Sequence, residues 1–511
     1  MSSAFAEKMR LHPMVCLLPV VVAVIAAVQW RWGLFSPQVS WSEGAETFDA
    51  VVAGVPRQQG KTVVFEAVVV ATTDAEAAGA RPRKVQLRLL VDREGRARRL
   101  QVGQGIRATA VVRPMGEGEG RNFRSFRSFR NFRNFRIIRD IRDSREVSDR
   151  RRQDYYDYLR HQGFSGTSFV LPWQWHEERV SLRPLSVVQR LRLRLLACRQ
   201  WLVGRMRAAG LTGDEGAVAI AMTLGDKTRL GRDVRQLYSQ AGVSHVLALS
   251  GLHLSIFVMV FSLLLWHRHS LLTQLPLVAA VWLYVMLVGL PLSLVRSALM
   301  LTVCALFSVV GRDRQSLNVL AFVGVVMLLV SPSCLFDIGF QLSFASVASI
   351  LLFCPLIEQV VDAEWQQSHP VLRWLWRAVC VTVAAQPFTV PLTLYHFGQL
   401  SLCFVPTNLL VVFFVPVILG SVCLLALLAP LPWLSHAVGG LTVFAVWGFH
   451  QGIAFFASLP YSSFTGLHVS AVQVLLLYVV ALSLLALCRR LSARRIELAV
   501  LSLLLLALSF F

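Results

Sequence analysis

Long apolar runs fill the chain from about Ala241 to the C-terminus, separated by short polar or glycine- and proline-containing segments. A helix that crosses a bilayer needs roughly 20 apolar residues, so this part of the chain has room for about ten spans. Another apolar stretch, Met14 to Val28, follows Lys8 and Arg10. No small-x-small cleavage site clearly follows it, so we expect a retained transmembrane helix within residues 1–40, with its N-terminus in the cytoplasm. The pattern predicts a polytopic α-helical membrane protein with about 10–11 transmembrane helices.

Residues 45–180 follow a different pattern of short, strand-length runs rich in β-branched residues. The clearest runs are VVFEAVVVATT, KVQLRLLVD and RATAVVRP, each with glycine or proline nearby. Lys84 to Asp92 alternates polar and apolar side chains, as a half-buried antiparallel strand does. The pattern predicts about four or five strands, which suit a small β-barrel of OB type outside the membrane. Another small β-domain fits the pattern equally well.

Residues 121–145 carry an arginine at every third position, mostly in R-[SN]-F triplets with interleaved phenylalanines. Arginine can clamp phosphates while an aromatic ring stacks on bases, so the insert has the composition of a DNA-binding segment. The alternative is a low-complexity linker without a fixed fold or a specific function. The candidate DNA-binding residues are Arg121, Arg124, Arg127, Arg130, Arg133 and Arg136.

Residues 184–212 are basic and helical in pattern. Apolar residues recur at three-and-four spacing, and arginines occupy much of the remaining surface. Such a helix lies in a membrane interface, or packs on protein as an ordinary amphipathic helix. The predicted apolar face consists of Val188, Leu191, Leu195, Cys198, Leu202 and Met206.

Charge and composition narrow the class of protein further. Hydrophobic residues make up 55% of the chain and charged residues 15%, below the roughly 25% charged of soluble domains. The net charge of +21 is concentrated before residue 210, which suits a polyanion, either nucleic acid or anionic lipid headgroups. None of the nine cysteines forms a C-x-x-C pair. We therefore expect no cofactor and no metal site.

Polar residues inside the apolar half are the candidate site. The run GVSHVLALSGLHLSIF contains His245, Ser250, Gly251 and His253, although an unpaired polar group in hydrocarbon costs several kcal/mol. We interpret the cluster as a pore or gate element with a helix break at Ser250-Gly251. Structural contacts between helices, or a metal or catalytic role, are the alternatives.

Further polar residues interrupt the apolar runs on either side of this cluster. Arg296 lies more than a helical turn from any other charge. We expect Asp337 to form a buried ion pair with it or to face the same cavity, with Asp226 as the alternative partner. Helix capping by Asp337 is the plainer interpretation of that residue. The full set of pore or gate candidates is Asp226, Lys227, His245, Ser250, Gly251, His253, Arg296, Asp337, Gln341 and Asn408.

Three of these elements occur in the order LGDK, HVLALSGLH and DIGFQLS. In that order they resemble the ComEC-type DNA-uptake channel family, over roughly residues 47–420. In the first element Lys227 replaces the usual arginine, which keeps the charge but loses the planar fork. The resemblance implies a multi-pass protein of the bacterial cytoplasmic (inner) membrane that passes single-stranded transforming DNA. Residues 213–435 would form the competence channel domain, residues 436–511 the C-terminal transmembrane helices, and the β-domain would meet DNA outside.

The resemblance also sets expectations about partners and activity. Besides DNA and membrane lipids, we expect two protein partners: a DNA-receptor protein outside the cell membrane, and a helicase or single-strand-binding protein in the cytoplasm. A homo-oligomer is also compatible with the resemblance. The chain has no GxxxxGK[ST] motif for ATP binding, so a partner would supply any energy for transport. We expect no enzyme activity, because the H-x-H-x-D-H motif of the β-lactamase-like domain found in many family members is absent. The rivals are a transporter or flippase for an anionic lipid-linked or small solute, and a membrane-embedded hydrolase using His245 or His253 with Asp226.

Overall fold

The computed structural model describes residues 22, 41, 44–72, 82–92, 94–114, 159, 162–264, 271–310, 316–428, 431–467, 469–489 and 493–509. The chain divides into two units. We call Ala26–Cys198 the sheet unit, and Arg199–Phe511 with Met1–Ile25 the helical unit. The predicted N-terminal helix, apart from Val22, and the arginine triplets of residues 121–145 lie outside the described residues.

The sheet unit contains one eight-stranded sheet in which every pairing but one is antiparallel. The strand order is β6-β7-β4-β3-β1-β5-β8, with β2 paired to β3 and with β4 and β7 parallel. A single turn of helix, α1, precedes β5. The bounds are β1 Glu46–Val52, β2 Arg57–Gln59, β3 Thr62–Thr72, β4 Arg83–Leu90, α1 Arg96–Arg99, β5 Gly105–Ala110, β6 Val112–Pro114, β7 Gly166–Val170 and β8 Trp175–Glu177.

The strands expected from VVFEAVVVATT and KVQLRLLVD are present as β3 and β4, and the run RATAVVRP forms two strands, the end of β5 and β6. The sheet is larger than expected because short strands, and two strands from beyond residue 121, pair with them. Strands of three residues carry too little alternation to be recognised alone. The described pairings run from β6 at one end to β8 at the other; closure into an OB-type barrel stays a prediction.

The sheet carries a hydrophobic cluster on each face, and the second covers only part of its face. One face forms a core that includes Phe48, Phe65, Leu87 and Ile106. The other face packs against residues that precede and begin α2, which spans Val187–Ala208, and the buried residues of this second cluster are Val51, Val102, Leu185, Leu193 and Leu196. The sheet is therefore a layer with a hydrophobic core on each side.

Of the six residues of the apolar face predicted for α2, three are exposed, two are half-buried and one is buried. Val188 and Leu191 are exposed, whereas Leu193, Leu196 and Val203 are buried; only Met206 is both predicted and buried. Leucine and valine occur so often in this helix that several stripes fit a three-and-four spacing, and tertiary packing selects one of them.

The helical unit contains thirteen described helices of regular α type. Two short 3₁₀ turns, Ser244–Val246 and Pro332–Phe336, precede α5 and α9, and strands β9 and β10 pair antiparallel. The bounds are α3 Gly213–Leu224, α4 Arg232–Gln240, α5 Gly251–Leu264, α6 Leu271–Val288, α7 Leu292–Val310, α8 Ser316–Val330, α9 Ile338–Glu358, α10 Ala363–Ser368, α11 Pro370–Phe397, β9 Gln399–Ser401, α12 Phe404–Leu427, α13 Pro432–Ser458, β10 Ser463–Thr465, α14 Ala471–Arg489 and α15 Ala493–Leu508.

Five described helices are long and apolar enough to cross a membrane, namely α9, α11, α12, α13 and α14. Shorter apolar segments lie in α5, α6, α7, α8 and α15. The described structure is thus rich in helices with membrane-type composition, while the count of about 10–11 spans stays a prediction. Residue 435, the boundary proposed from the sequence, lies inside α13.

The core of the helical unit surrounds α3. Every residue from Gly216 to Leu224 is buried, and the surrounding core includes Tyr238, Val415 and Phe449. Gly439 allows α13 to approach closely, because a Cβ at this position would lie 2.1 Å from the carbonyl oxygen of Ala209. A helix too short to span a bilayer is accommodated here because protein surrounds it.

Candidate functional site

Helix α5 begins at Gly251, where the sequence predicted a helix break, and this helix start positions His253. Four non-helical residues separate it from the 3₁₀ turn that ends at Val246. The backbone N–H of Ser250 donates to Nδ1 of His253 at 3.2 Å, and the Ser250 hydroxyl lies 2.9 Å from the same nitrogen. Because a backbone N–H only donates, Nδ1 is an acceptor and the neutral ring carries its proton on Nε2. The side chain is buried, and Nε2 has no hydrogen-bond partner among the described residues.

Helix α7 packs directly on this turn. The hydroxyl of Ser293 donates to the Leu249 carbonyl at 2.6 Å, and the hydroxyl of Ser297 donates to the Ser293 carbonyl at 3.0 Å. A Cβ on Gly251 would lie 2.8 Å from Oγ of Ser297. The glycine is therefore required by the close approach of α5 and α7.

Arg296 links α7 to α9 from a buried position. Its side chain donates through Nη1 to the carbonyl of Ser343, and Nη2 lies 3.5 Å from Oγ of Ser297. The guanidinium also lies 5.7 Å from the centre of the Phe344 ring. Only 5% of Arg296 is exposed, and within the described ranges no carboxylate forms an ion pair with it. The site is thus a buried cation bounded by neutral groups.

The expected ion pair between Arg296 and Asp337 is wrong. Asp337 caps the start of α9 and accepts the backbone N–H of Phe340 at 2.9 Å. A side-chain acceptor at the N-cap satisfies one of the donors that every helix start leaves open, and here this local bond is formed instead of the pair. The structure therefore supports the other interpretation of Asp337, which is that it caps a helix.

Gln341 connects α9 to α11 through a residue that the sequence did not single out. Its amide nitrogen donates to the Leu335 carbonyl at 2.9 Å, and its oxygen lies 3.1 Å from Nε2 of His396. His396 comes near the end of α11, before Gly398. In the sequence, His396 is marked only by being an ionisable residue within an apolar run. Several other residues share that feature, so it does not single out His396.

Among the described residues, Asp226 pairs with neither Arg296 nor a histidine. Its carboxylate accepts the backbone N–H of Thr228 at 3.0 Å and lies 3.9 Å from Nη2 of Arg207 in α2. Burial, together with the positive charge of Arg229, lowers the pKa of Arg207, and the Asp226 carboxylate opposes that shift. The alternative partner predicted for Arg296 is therefore held in a separate contact.

The LGDK element nevertheless packs against the His253 turn through its glycine. Gly225 has φ +70° and ends α3, and a Cβ there would lie 2.6 Å from a Leu249 methyl carbon. The carbonyl of Lys227 accepts a guanidinium N–H from Arg235 at 2.8 Å. LGDK thus meets the Leu249–His253 turn through Gly225, and DIGFQLS is linked to the same region through the bond between Ser343 and Arg296.

His245 and Asn408 lie at the edge of this junction. His245 is exposed in its 3₁₀ turn, eight residues before His253. The hydroxyl of Thr407 donates to the Ala241 carbonyl at 2.9 Å, which brings the start of α12 against this loop; the adjacent Asn408 is half-buried.

The chemistry of the junction is that of hydrogen-bond donors and positive charge. In the part of the chain that the structure describes, no group of three or more His, Cys, Asp or Glu side chains could hold a metal ion. Ser250 and His253 form a local contact in which the same ring nitrogen also accepts a backbone N–H, so the contact orients the ring. The arrangement suits recognition of an acceptor-rich group.

The sheet unit offers a separate candidate DNA-binding surface. Arg57, Val64, Arg88 and Phe169 are direct partners across β2, β3, β4 and β7, so they share one face of the sheet. Arg57 is exposed, Arg88 half-exposed, and 47% of Phe169 is accessible. We call these four residues the basic-aromatic row. The predicted DNA-binding arginines of residues 121–136 lie outside the described residues.

Comparison with known proteins identifies the family. The family described as "Competence protein" matches residues 222–507, more than half of the chain. The chain belongs to this competence protein family. The match includes every pore or gate candidate from Asp226 to Asn408, whereas the sheet unit lies before it.

Two curated proteins are similar to parts of the chain. "ComE operon protein 3" of Bacillus subtilis (strain 168) is 31% identical over 265 residues, which is 51% of this chain and 31% of that protein. An "Uncharacterized protein" of Aquifex aeolicus (strain VF5) is 32% identical over 137 residues, 27% of this chain and 33% of that protein. The chain thus spans about a third of the length of each relative. No solved structure matches.

Proposed function

We propose that this competence-family protein acts in DNA uptake, as a channel that passes single-stranded transforming DNA across the bacterial cytoplasmic membrane. The observation that carries the proposal is the junction around His253. Gly225 packs on Leu249, Ser293 of α7 bonds the Leu249 carbonyl, and Arg296 of α7 bonds the Ser343 carbonyl. This chain of contacts connects elements more than a hundred residues apart and surrounds the buried side chains of His253 and Arg296. Buried ionisable groups among apolar helices mark a solute path or a functional site.

The sheet unit supports a role in receiving the strand. Several of its basic side chains are held by acids: Arg107 pairs with Asp49 at 2.7 Å and Arg96 with Asp92 at 2.7 Å. The basic-aromatic row combines two arginines with an accessible ring on one face. Such a surface can contact phosphates and stack bases with little preference for sequence.

The partners follow from the same proposal. A strand drawn inward needs a driving force, which a cytoplasmic helicase or single-strand-binding protein would supply. A DNA-receptor protein outside would deliver the substrate, and the channel would work as a monomer or as a homo-oligomer. Each partner can be tested by copurification from membranes of competent cells.

The test of the proposal separates DNA binding from DNA entry. In a strain that lacks the gene, we expect surface-bound DNA to persist while nuclease-protected, internalised DNA and transformants disappear. Complementation with His253→Ala or His245→Ala should leave internalisation abolished with membrane levels near normal. The matched control is Ser255→Ala, an exposed position on α5 whose hydroxyl only donates to the Gly251 carbonyl; it should restore entry.

Other outcomes would contradict the proposal. Normal internalisation in the deletion strain would remove the protein from uptake. Loss of the His253→Ala protein from the membrane would assign the junction to folding instead. A deletion that abolishes transport of a small or lipid-linked anion and leaves DNA entry intact would favour the transporter.

The arginine insert has its own test, because residues 121–136 are predicted to bind DNA from their sequence alone. Replacing the arginines of these triplets with serine and glycine should weaken DNA binding of the full-length protein and flatten its dependence on salt. Unchanged transformation and unchanged salt dependence would make the insert an idle linker.

A further inference from the structure

The guanidinium of Arg296 is a buried charge placed near the N-terminal ends of two helices. It lies in the second turn of α7, and a Cβ on Gly251, the first residue of α5, would be 3.8 Å from its Nη2. The N-terminal end of a helix carries a partial positive charge, so both helices raise the cost of a cation at this point. A buried cation without an opposite charge is expensive.

A second buried arginine of the same unit shows the opposite arrangement. Arg199 is also buried, and its Nη1 donates to the carbonyl of Val288 at 2.9 Å. Val288 is the last residue of α6, where the helix carries partial negative charge that favours a cation. Arg199 therefore has its compensation within the fold. The described surroundings of Arg296, a carbonyl, a hydroxyl and a ring, provide much less.

Two donors at the junction are left without partners. Nε of Arg296 and Nε2 of His253 are both buried, and neither makes a hydrogen bond of normal geometry within the described ranges, although the carbonyl of Val246 lies near the His253 ring. The tautomer fixed by the Ser250 backbone makes Nε2 of neutral His253 a donor. Nη2 of Arg296 has only the 3.5 Å contact with Ser297. Within the described ranges, the edge of the guanidinium that carries Nε and Nη2 thus has one long contact and otherwise unused donors.

We propose that this junction is a binding site for a single phosphodiester anion, held by the Nε–Nη2 edge of Arg296 and by Nε2 of His253. A phosphodiester carries one negative charge on two equivalent oxygens, which matches the forked geometry of a guanidinium and compensates its charge. The inference rests on the proposed function, in which the group belongs to the backbone of the passing strand. A lipid headgroup carries the same group, and the experiment distinguishes the two sources.

The experiment uses the full-length protein in a maltoside detergent and dimethyl phosphate as the probe, because this ion is a phosphodiester without bases or acyl chains. The thermal midpoint is measured against probe concentration at constant ionic strength. We expect the probe to stabilise the protein and Arg296→Gln to weaken its apparent affinity by about tenfold to a hundredfold, since hydrogen bonds to a charged group are lost. Arg199→Gln is the matched control and should keep the response of the native protein.

Three results would overturn the site: Arg296→Gln responding like the native protein, Arg199→Gln losing the response equally, or chloride stabilising as strongly as the probe. If Arg296→Gln does not accumulate, Arg296→Lys carries the same test, because it keeps the charge and removes the fork. His253→Phe should also weaken the response.

Competition identifies the source of the anion. Displacement of dimethyl phosphate by a five-nucleotide oligo(dT), and not by its uncharged methylphosphonate analogue, assigns the site to a strand. Displacement by a short-chain phosphatidylglycerol alone assigns it to a lipid headgroup, and displacement by neither refutes the proposal. These measurements do not depend on DNA uptake. A strain that imports DNA normally without the protein would remove the proposed function and leave the site standing.

Discussion

Adding one methyl group at Gly251 tests the close packing that brings the functional elements together. The Cβ of Gly251→Ala would lie 2.8 Å from Oγ of Ser297, whereas ordinary contact begins near 3.4 Å. The two atoms must therefore move apart by about 0.6 Å. The hydroxyl is held by its 3.0 Å bond to the Ser293 carbonyl, and losing that bond costs about 0.5–1.5 kcal/mol. Overpacking costs about 1–3 kcal/mol, while alanine gains up to about 1 kcal/mol over glycine in a helix. We expect a net loss of about 1–2 kcal/mol.

The size of this effect is checked by removing the obstructing atom. In Gly251→Ala combined with Ser297→Ala, the next atom is Cβ of residue 297 at 3.7 Å, an ordinary contact. The double variant should therefore be more stable than the sum of the single variants by about 1–2 kcal/mol. The assay is the thermal midpoint of the purified protein, with DNA internalisation measured in parallel. Gly440→Ala is the control, because no atom lies within 4 Å of its added Cβ. Additivity within about 0.5 kcal/mol would refute the packing argument.

Three further predictions concern other parts of the molecule. Gly439→Ala should lower the thermal midpoint and the membrane level, because its Cβ would lie 2.1 Å from the Ala209 carbonyl oxygen. The control is Gly440→Ala in the same helix, whose thermal midpoint should equal or exceed that of the native protein. Equal midpoints for the two variants would contradict the argument. Asp337→Ala should destabilise the protein by about 1 kcal/mol through loss of an N-cap, and Asp337→Asn should restore most of that stability; failure of asparagine to restore it would favour a role for the charge. Phe169→Ala should weaken binding of single-stranded DNA by about 1–3 kcal/mol in a titration of the full-length protein, while Phe169→Tyr binds normally; unchanged binding by the alanine variant would remove the basic-aromatic row from DNA contact.

The sequence by itself determined the class of each segment. Long apolar runs indicated membrane-type helices, and alternation in KVQLRLLVD indicated the strand that became β4, because the period of hydrophobic residues follows directly from backbone geometry. The polar residues inside the apolar half were also visible, since each is out of place in its own segment. The helix break at Ser250-Gly251 could be read in the same way.

The contacts between segments were decided by the tertiary structure. Arg296 reaches the carbonyl of Ser343 and not a carboxylate, and every residue has a carbonyl, so no pattern in the chain marks that partner. Gln341 meets His396 across 55 positions, and the buried stripe of α2 was chosen by what it packs against. Periodicity along the chain records which face of an element is apolar, whereas pairings between distant residues depend on how the helices come together, which local patterns do not encode.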